Sequence, residues 1–98
     1  MGQPIEELDR STVGDVTIFT LDRNLASMGT RSFDEAPRDP DPDDYPAVLA
    51  ARIIEQDHAV NRVYVAANTV QVTRRRGWDD ATADAVGDVI KRLFTFYA

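Results

Sequence analysis

The stretch Arg62-Val63-Tyr64-Val65-Ala66-Ala67-Asn68-Thr69-Val70-Gln71-Val72-Thr73 decides the fold. Val63 and Val65 point one way and Arg62, Tyr64 and Ala66 the other, the period of two that a half-buried strand requires. After a break at Ala67-Asn68-Thr69, Val70 and Val72 alternate with Gln71 and Thr73 in the same manner. Asn tolerates the left-handed conformation that such a turn often needs. The stretch predicts a β-hairpin with one apolar face.

Downstream, Gly77 ends the hairpin and Asp79 or Asp80 is placed to cap a final helix. Thr82, Val86, Val89, Ile90, Leu93 and Phe96 or Tyr97 form its apolar stripe. Trp78, just ahead of the cap, is positioned as a hydrophobic staple. Acids open this helix and Lys91-Arg92 lie near its end, complementing its dipole. Upstream, Leu49, Ile53 and Gln56, flanked by Val48 and Arg52, recur at helical spacing behind Asp43-Asp44 and Pro46. They predict a helix from about Tyr45 to Asp57.

Residues 34–44, DEAPRDPDPDD, hold three prolines and six acids and predict a solvated loop. Before them, Thr30-Arg31-Ser32-Phe33 reads as a short strand pairing with Val16-Thr17-Ile18-Phe19-Thr20-Leu21. The latter is β-branched and apolar on both faces, which suits a central position. Residues 1–12 show no periodicity and read as a loose N-terminal arm, leaving 13–98 as the folded domain. The expectation is a single two-layer α+β domain, β-β-α-β-β-α, with a four-stranded antiparallel sheet and both helices on one face.

Composition narrows the function. The chain has 98 residues, 43% of them hydrophobic, and contains no cysteine and a single histidine, His58. Disulfides, thiolate metal sites, a cysteine nucleophile and cysteine-ligated clusters are therefore excluded within it. No apolar run reaches the roughly 18 residues of a membrane span, and no basic-then-apolar leader opens the chain, so a cytoplasmic location is expected. Seventeen acids against eleven bases give a net charge of −6, which disfavours indiscriminate binding to nucleic acid or anionic lipid. Thirteen acids are Asp and ten bases are Arg. Both a GC-rich genome and life at high internal salt account for that bias.

Motifs for chemistry are few. His58 stands at a predicted helix end, where a cap or surface role explains it. Ser11, Ser27 and Ser32 show no nucleophile-elbow pattern, and one histidine would have to serve any triad. Asp39, Asp41 and Asp43 imitate the first half of a calcium loop, but its sixth and twelfth positions hold Asp44 and Ala50 instead of Gly and Glu. The five glycines are isolated, so no phosphate cradle exists. No catalytic, cofactor or metal residue is assigned. Arg74-Arg75-Arg76-Gly77-Trp78 does combine guanidiniums with an indole, the pairing that grips phosphates and stacks on bases. Asp79, Asp80, Asp84 and Asp88 follow closely and offer internal partners.

Several segments together resemble the N-terminal domain of Nfu/NifU-type iron–sulfur scaffold proteins. They are Phe19-Thr20-Leu21-Asp22, Arg31-Ser32-Phe33, Pro46-Ala47-Val48-Leu49-Ala50-Ala51-Arg52-Ile53-Ile54, Val60-Asn61-Arg62-Val63-Tyr64-Val65, Asn68-Thr69-Val70-Gln71-Val72-Thr73 and Gly77-Trp78-Asp79 with the last helix. That family follows a small-Pro-Leu-Ala helix with Gly-Val-x-x-Val-Phe and Thr-Val-Thr-Lys strands, a Trp and a helix. The resemblance runs from about residue 16 to 97. It departs at Ser11-Thr12-Val13-Gly14, where the family has a Thr-Pro-Asn-Pro type motif, at Ala59 for glycine and at Arg74 for lysine. The cluster-binding Cys-x-x-Cys of these scaffolds lies in a separate domain, so the resemblance brings no ligand to this chain.

What the resemblance implies is a stand-alone, non-enzymatic accessory module of iron–sulfur assembly or delivery, without a cofactor, acting through contact with a scaffold or client protein. The expected contact surface is the sheet face that the helices leave open: Arg62, Tyr64, Gln71 and Thr73, with Arg74 and Arg76 at the hairpin end. The alternative is a small nucleic-acid-binding module using Arg74–Arg76 and Trp78.

Overall fold

The computed structural model describes residues 5–26 and 29–93. Seven elements follow in the order β1 (Glu7–Val13), β2 (Val16–Leu21), β3 (Thr30–Phe33), α1 (Tyr45–Gln56), β4 (Val60–Ala66), β5 (Thr69–Arg74) and α2 (Asp80–Lys91). The strands form one antiparallel sheet in the order β1-β2-β5-β4-β3. Both helices cover the same face. Phe19, Leu21, Val63, Val65, Val70 and Val72 from the sheet meet Leu49, Ile53, Val86, Ile90 and Leu93 from the helical layer, all essentially sealed from solvent. Burying each such side chain contributes about 1.5–3 kcal/mol.

The expected α+β class, the two helices on one face and the β4–β5 hairpin are all present. In the hairpin Val63 pairs with Val72, Tyr64 with Gln71 and Val65 with Val70. Its turn is tighter than expected, Ala67-Asn68, and the left-handed residue is Ala67 at φ +52°, not Asn68. Asn68 serves the neighbouring strand β2 instead. Its carbonyl accepts the Leu21 N–H at 2.8 Å, and its side-chain amide donates to the Leu21 carbonyl at 3.0 Å. Asp44 caps α1 by accepting from the Ala47 N–H, and Asp79 caps α2 in a reciprocal pair with Thr82. Residues 34–44 form the expected surface loop. Gln56, counted in the α1 stripe, is exposed, while Ala83 and Gly87 are buried on α2 and Thr82 is only half-buried.

The sheet departs from expectation in two ways. It has five strands, because Glu7–Val13 is not a loose arm but an edge strand, and Ile5 ahead of it is buried with its N–H bonded to the Lys91 carbonyl. The covered side of β1 carries polar groups. Arg10 pairs across to Phe19 and Thr12 to Thr17. Arg10 forks onto Glu7 at 2.6 and 2.8 Å, reaches Asp84 of α2 at 2.6 Å, and lies over the Phe19 ring at 5.4 Å. Thr12 and the fully buried Thr17 share a hydroxyl–hydroxyl bond of 2.8 Å. No apolar period marks such a strand.

The second difference is pairing. Thr30–Phe33 does not join β2; it lies at the far edge, with Arg31 opposite Val65 and Phe33 opposite Val63. The place beside β2 is taken by β5, with Phe19 opposite Val70 and Thr17 opposite Val72, so β2 is interior as its two-sided apolar pattern implied. The connection after β2 crosses the β4–β5 turn, where the Leu25 N–H bonds to the Ala67 carbonyl at 3.0 Å. Met1–Pro4, Ser27, Phe96 and Tyr97 lie outside the described residues.

Candidate interaction surface

With both helices on one side, the other face of the sheet carries side chains with no layer above them. Register orders them into rows across the strands. One row runs Ser11, Ile18, Gln71, Tyr64, Ser32; the next runs Val13, Val16, Thr73, Arg62. Val16, Arg62, Tyr64, Gln71 and Thr73 line a shallow concavity of about 320 Å³. Apolar groups, Val13 (69% exposed), Val16 and Ile18, cluster near the β1–β2 turn on this face, and the β4 side is polar. Among the described residues Arg62 is tied to Asp34, at 3.1 Å between two exposed groups, a bond worth at most about 1 kcal/mol that a partner could replace.

Four of the six expected surface residues, Arg62, Tyr64, Gln71 and Thr73, come together here. Arg74 does not. Alternation from Val70 and Val72 carries it to the helix side, where it pairs with Asp57 at 2.8 Å and donates to the Gly77 carbonyl at 2.9 Å. Both members of this pair are largely covered, so Arg74 holds the fold rather than faces a partner. Arg76 is exposed in the turn that follows. Sequence reasoning left out Val13, Val16, Ile18 and Ser32. The first two flank Gly14-Asp15, a two-residue hairpin signal that predicts the β1–β2 turn; Gly14 adopts φ +60° there.

The remaining motifs resolve into structural roles. Trp78, expected as a staple for α2, packs against the core and reaches across to β2. Its ring meets Phe19 edge-on at 6.4 Å and its N–H donates to the Asp15 carbonyl at 2.8 Å. Arg74 and Trp78 are thus both engaged within the chain. His58 is exposed just beyond α1. In the acidic loop, the Asp41 side chain accepts from the Asp43 N–H, and Asp44 takes both the α1 cap and Arg31 at 3.0 Å. Among the described residues no group of three or more His, Asp or Glu is placed to hold a metal ion, and no helix is long and apolar enough to cross a membrane.

Among the described residues, Arg10, Asp22 and Asp79 titrate away from their ordinary values. Hydrogen bonding to Glu7, more than the opposing burial, holds the Arg10 guanidinium protonated well above the usual arginine range. The Asp22 carboxyl is lowered by Arg23 beside it, and the Asp79 carboxyl by the Thr82 backbone N–H it caps. All three are structural contacts: a strand-to-helix clasp, a loop and a helix cap.

No protein-family model matches the chain, and no curated protein matches it in sequence. Among solved structures, protein SAV1430 from Staphylococcus aureus, known from a crystal structure, superposes with a TM-score of 0.60 at 14% sequence identity. The match covers 91% of this chain and 98% of that one. At this identity the likeness is one of fold: the chain is similar to that protein in its small α+β architecture over nearly its whole length.

Proposed function

We propose that this chain is a non-catalytic, cytoplasmic protein-interaction module that engages its partner through the open face of the sheet. The supporting observation is the contrast between the two faces. One is sealed by both helices; the other carries the exposed Val13 and Arg62 with the half-buried Val16, Thr73, Ile18, Gln71 and Tyr64. Apolar groups interleaved with hydrogen-bonding and aromatic ones form the chemistry of a protein contact patch. The resemblance to the Nfu/NifU N-terminal domain directs the search to iron–sulfur assembly, with a cysteine-bearing scaffold or client as partner. A chain without cysteine would serve that pathway by contact rather than by holding the cluster.

The test uses the recombinant chain as bait in extracts of its source organism, beside a face variant carrying Ile18→Asp and Tyr64→Asp. Recovery of an iron–sulfur scaffold or client by the first and not by the second is expected. Iron–sulfur enzyme activities unchanged after gene deletion in iron-poor medium would sink the pathway assignment. Equal capture by both baits would sink the face. The nucleic-acid alternative draws less support, since Arg74 and Trp78 are engaged internally. A low-salt gel shift with Arg74, Arg75 and Arg76 changed to Ala decides it.

A further inference from the structure

β5 ends in a turn, Arg74-Arg75-Arg76-Gly77, closed by the Gly77 N–H on the Arg74 carbonyl at 3.1 Å, with Gly77 at φ +71°. The turn is held from both sides. The Arg75 N–H bonds to the Ala59 carbonyl at 2.9 Å, and Arg74 is locked onto Asp57 and the Gly77 carbonyl. Its two central residues, Arg75 and Arg76, are exposed. With His58 they border a concavity of about 350 Å³ next to the Asp57–Arg74 pair.

The distribution of charge singles this turn out. Arg10, Arg23, Arg31, Arg62, Arg74 and Lys91 are all in ion pairs. Arg52 donates to the Leu93 carbonyl, and Arg92 also has a partner. Arg38, Arg75 and Arg76 remain without one among the described residues. Arg38 stands as a single base in the loop of residues 34–44, which carries six acids. Among the described residues, Arg75 and Arg76 are therefore two adjacent exposed guanidiniums on a hydrogen-bonded turn with no ion pair of their own, the nearby Asp57 being taken by Arg74.

We infer that this turn anchors an acidic segment of a protein partner, its carboxylates taken by the Arg75 and Arg76 guanidiniums. The inference rests on the reading of the chain as a protein-binding module and names the partner's chemistry. Two forked donors on a fixed turn match planar carboxylates. A nucleic acid fits less well. Two contacts release few counterions, and Trp78 is packed on Phe19 rather than presented for base stacking. The turn follows directly on Thr73, which pairs with Arg62 and Val16, so an acidic segment anchored there enters the open face at its basic end.

The test follows backbone amide signals of the ¹⁵N-labelled chain while fluorescein-labelled octaglutamate is added at low salt. An octathymidine oligonucleotide serves as the second probe. Octaglutamate is expected to shift His58, Arg75, Arg76 and Gly77, with the shifts lost in Arg75→Gln/Arg76→Gln and weakened roughly tenfold by physiological salt. Trp78 emission checks that the variant is folded. Shifts scattered away from the turn, undiminished binding by the variant, or octathymidine moving the same amides at lower concentration would each overturn the inference. Binding of octaglutamate at the turn with equal capture by the Ile18→Asp/Tyr64→Asp bait would overturn the open face alone. Loss of capture by that bait with a silent turn would overturn the turn alone.

Discussion

Replacing Gly87 with alanine sets two effects of opposite sign against each other. In the middle of a helix, Gly→Ala ordinarily stabilises by about 1 kcal/mol, because alanine loses less backbone entropy on folding. At Gly87 of α2 a Cβ would come within 2.7 Å of the Arg10 guanidinium and 3.0 Å of a Glu7 carboxylate oxygen. Those atoms end flexible side chains, but they are not free to move. Arg10 is forked onto Glu7, held by Asp84 and stacked on Phe19. Loosening this largely covered fork forfeits charge-assisted hydrogen bonds worth about 1.5–3 kcal/mol in such a setting. The clash therefore wins, and Gly87→Ala destabilises by about 1 kcal/mol, a Tm lower by roughly 4–8 °C for a domain of this size.

Urea and thermal unfolding followed by the single tryptophan, Trp78, measure the change. The decisive comparison is the same substitution in a Glu7→Ala/Arg10→Ala background, where the obstructing atoms are gone. There Gly87→Ala should raise stability by about 1 kcal/mol, so the coupling across the cycle is about 2 kcal/mol. A wild-type background in which Gly87→Ala stabilises by the full helix-propensity value would refute the claim that the clasp between β1 and α2 requires glycine.

Other outcomes follow from the same contacts. Ala67→Gly should raise the urea midpoint, with a gain of up to about 1 kcal/mol, because Ala67 carries a side chain at φ +52°. Asp57→Ala leaves the half-buried Arg74 without its carboxylate and should cost about 2–3 kcal/mol; equal stability of variant and parent in urea would contradict the pairing. The Asp79 carboxyl titrates below its ordinary value, so its capping of α2 is complete above the unfolded aspartate range near pH 4 and is lost as pH falls through the depressed value. The protection factor of the Thr82 amide, its exchange rate set against the intrinsic rate at the same pH, should fall in that acid window in the parent and stay level with pH in Asp79→Asn. Trp78→Phe keeps the edge contact to Phe19 but removes the donor to the Asp15 carbonyl, and should lower stability by about 1 kcal/mol by circular dichroism.

The helices and the β4–β5 hairpin were legible in sequence because their information is local. Leu49 and Ile53, Val86 and Ile90, and the alternating valines at 63, 65, 70 and 72 repeat within a few residues, and Asp44 and Asp79 announce the helix starts. From that alternation came the face holding Arg62, Tyr64, Gln71 and Thr73. The same alternation, carried one residue further, puts Arg74 on the helix-covered face, away from Thr73; counting it with the open face put charge type ahead of geometry. Only the tertiary structure decided which strands meet. Nothing near Thr30–Phe33 specifies β4 over β2, because that choice depends on the crossing at Leu25 and Ala67 and on β5 already occupying the β2 edge. Strand β1 escaped for a different reason: its covered side is satisfied by Glu7, Arg10 and Thr12 pairing with α2 and Thr17. Hydrophobic periodicity reports burial by apolar groups, and it is blind to a strand whose burial is solved by ion pairs and hydroxyls contributed from distant parts of the chain.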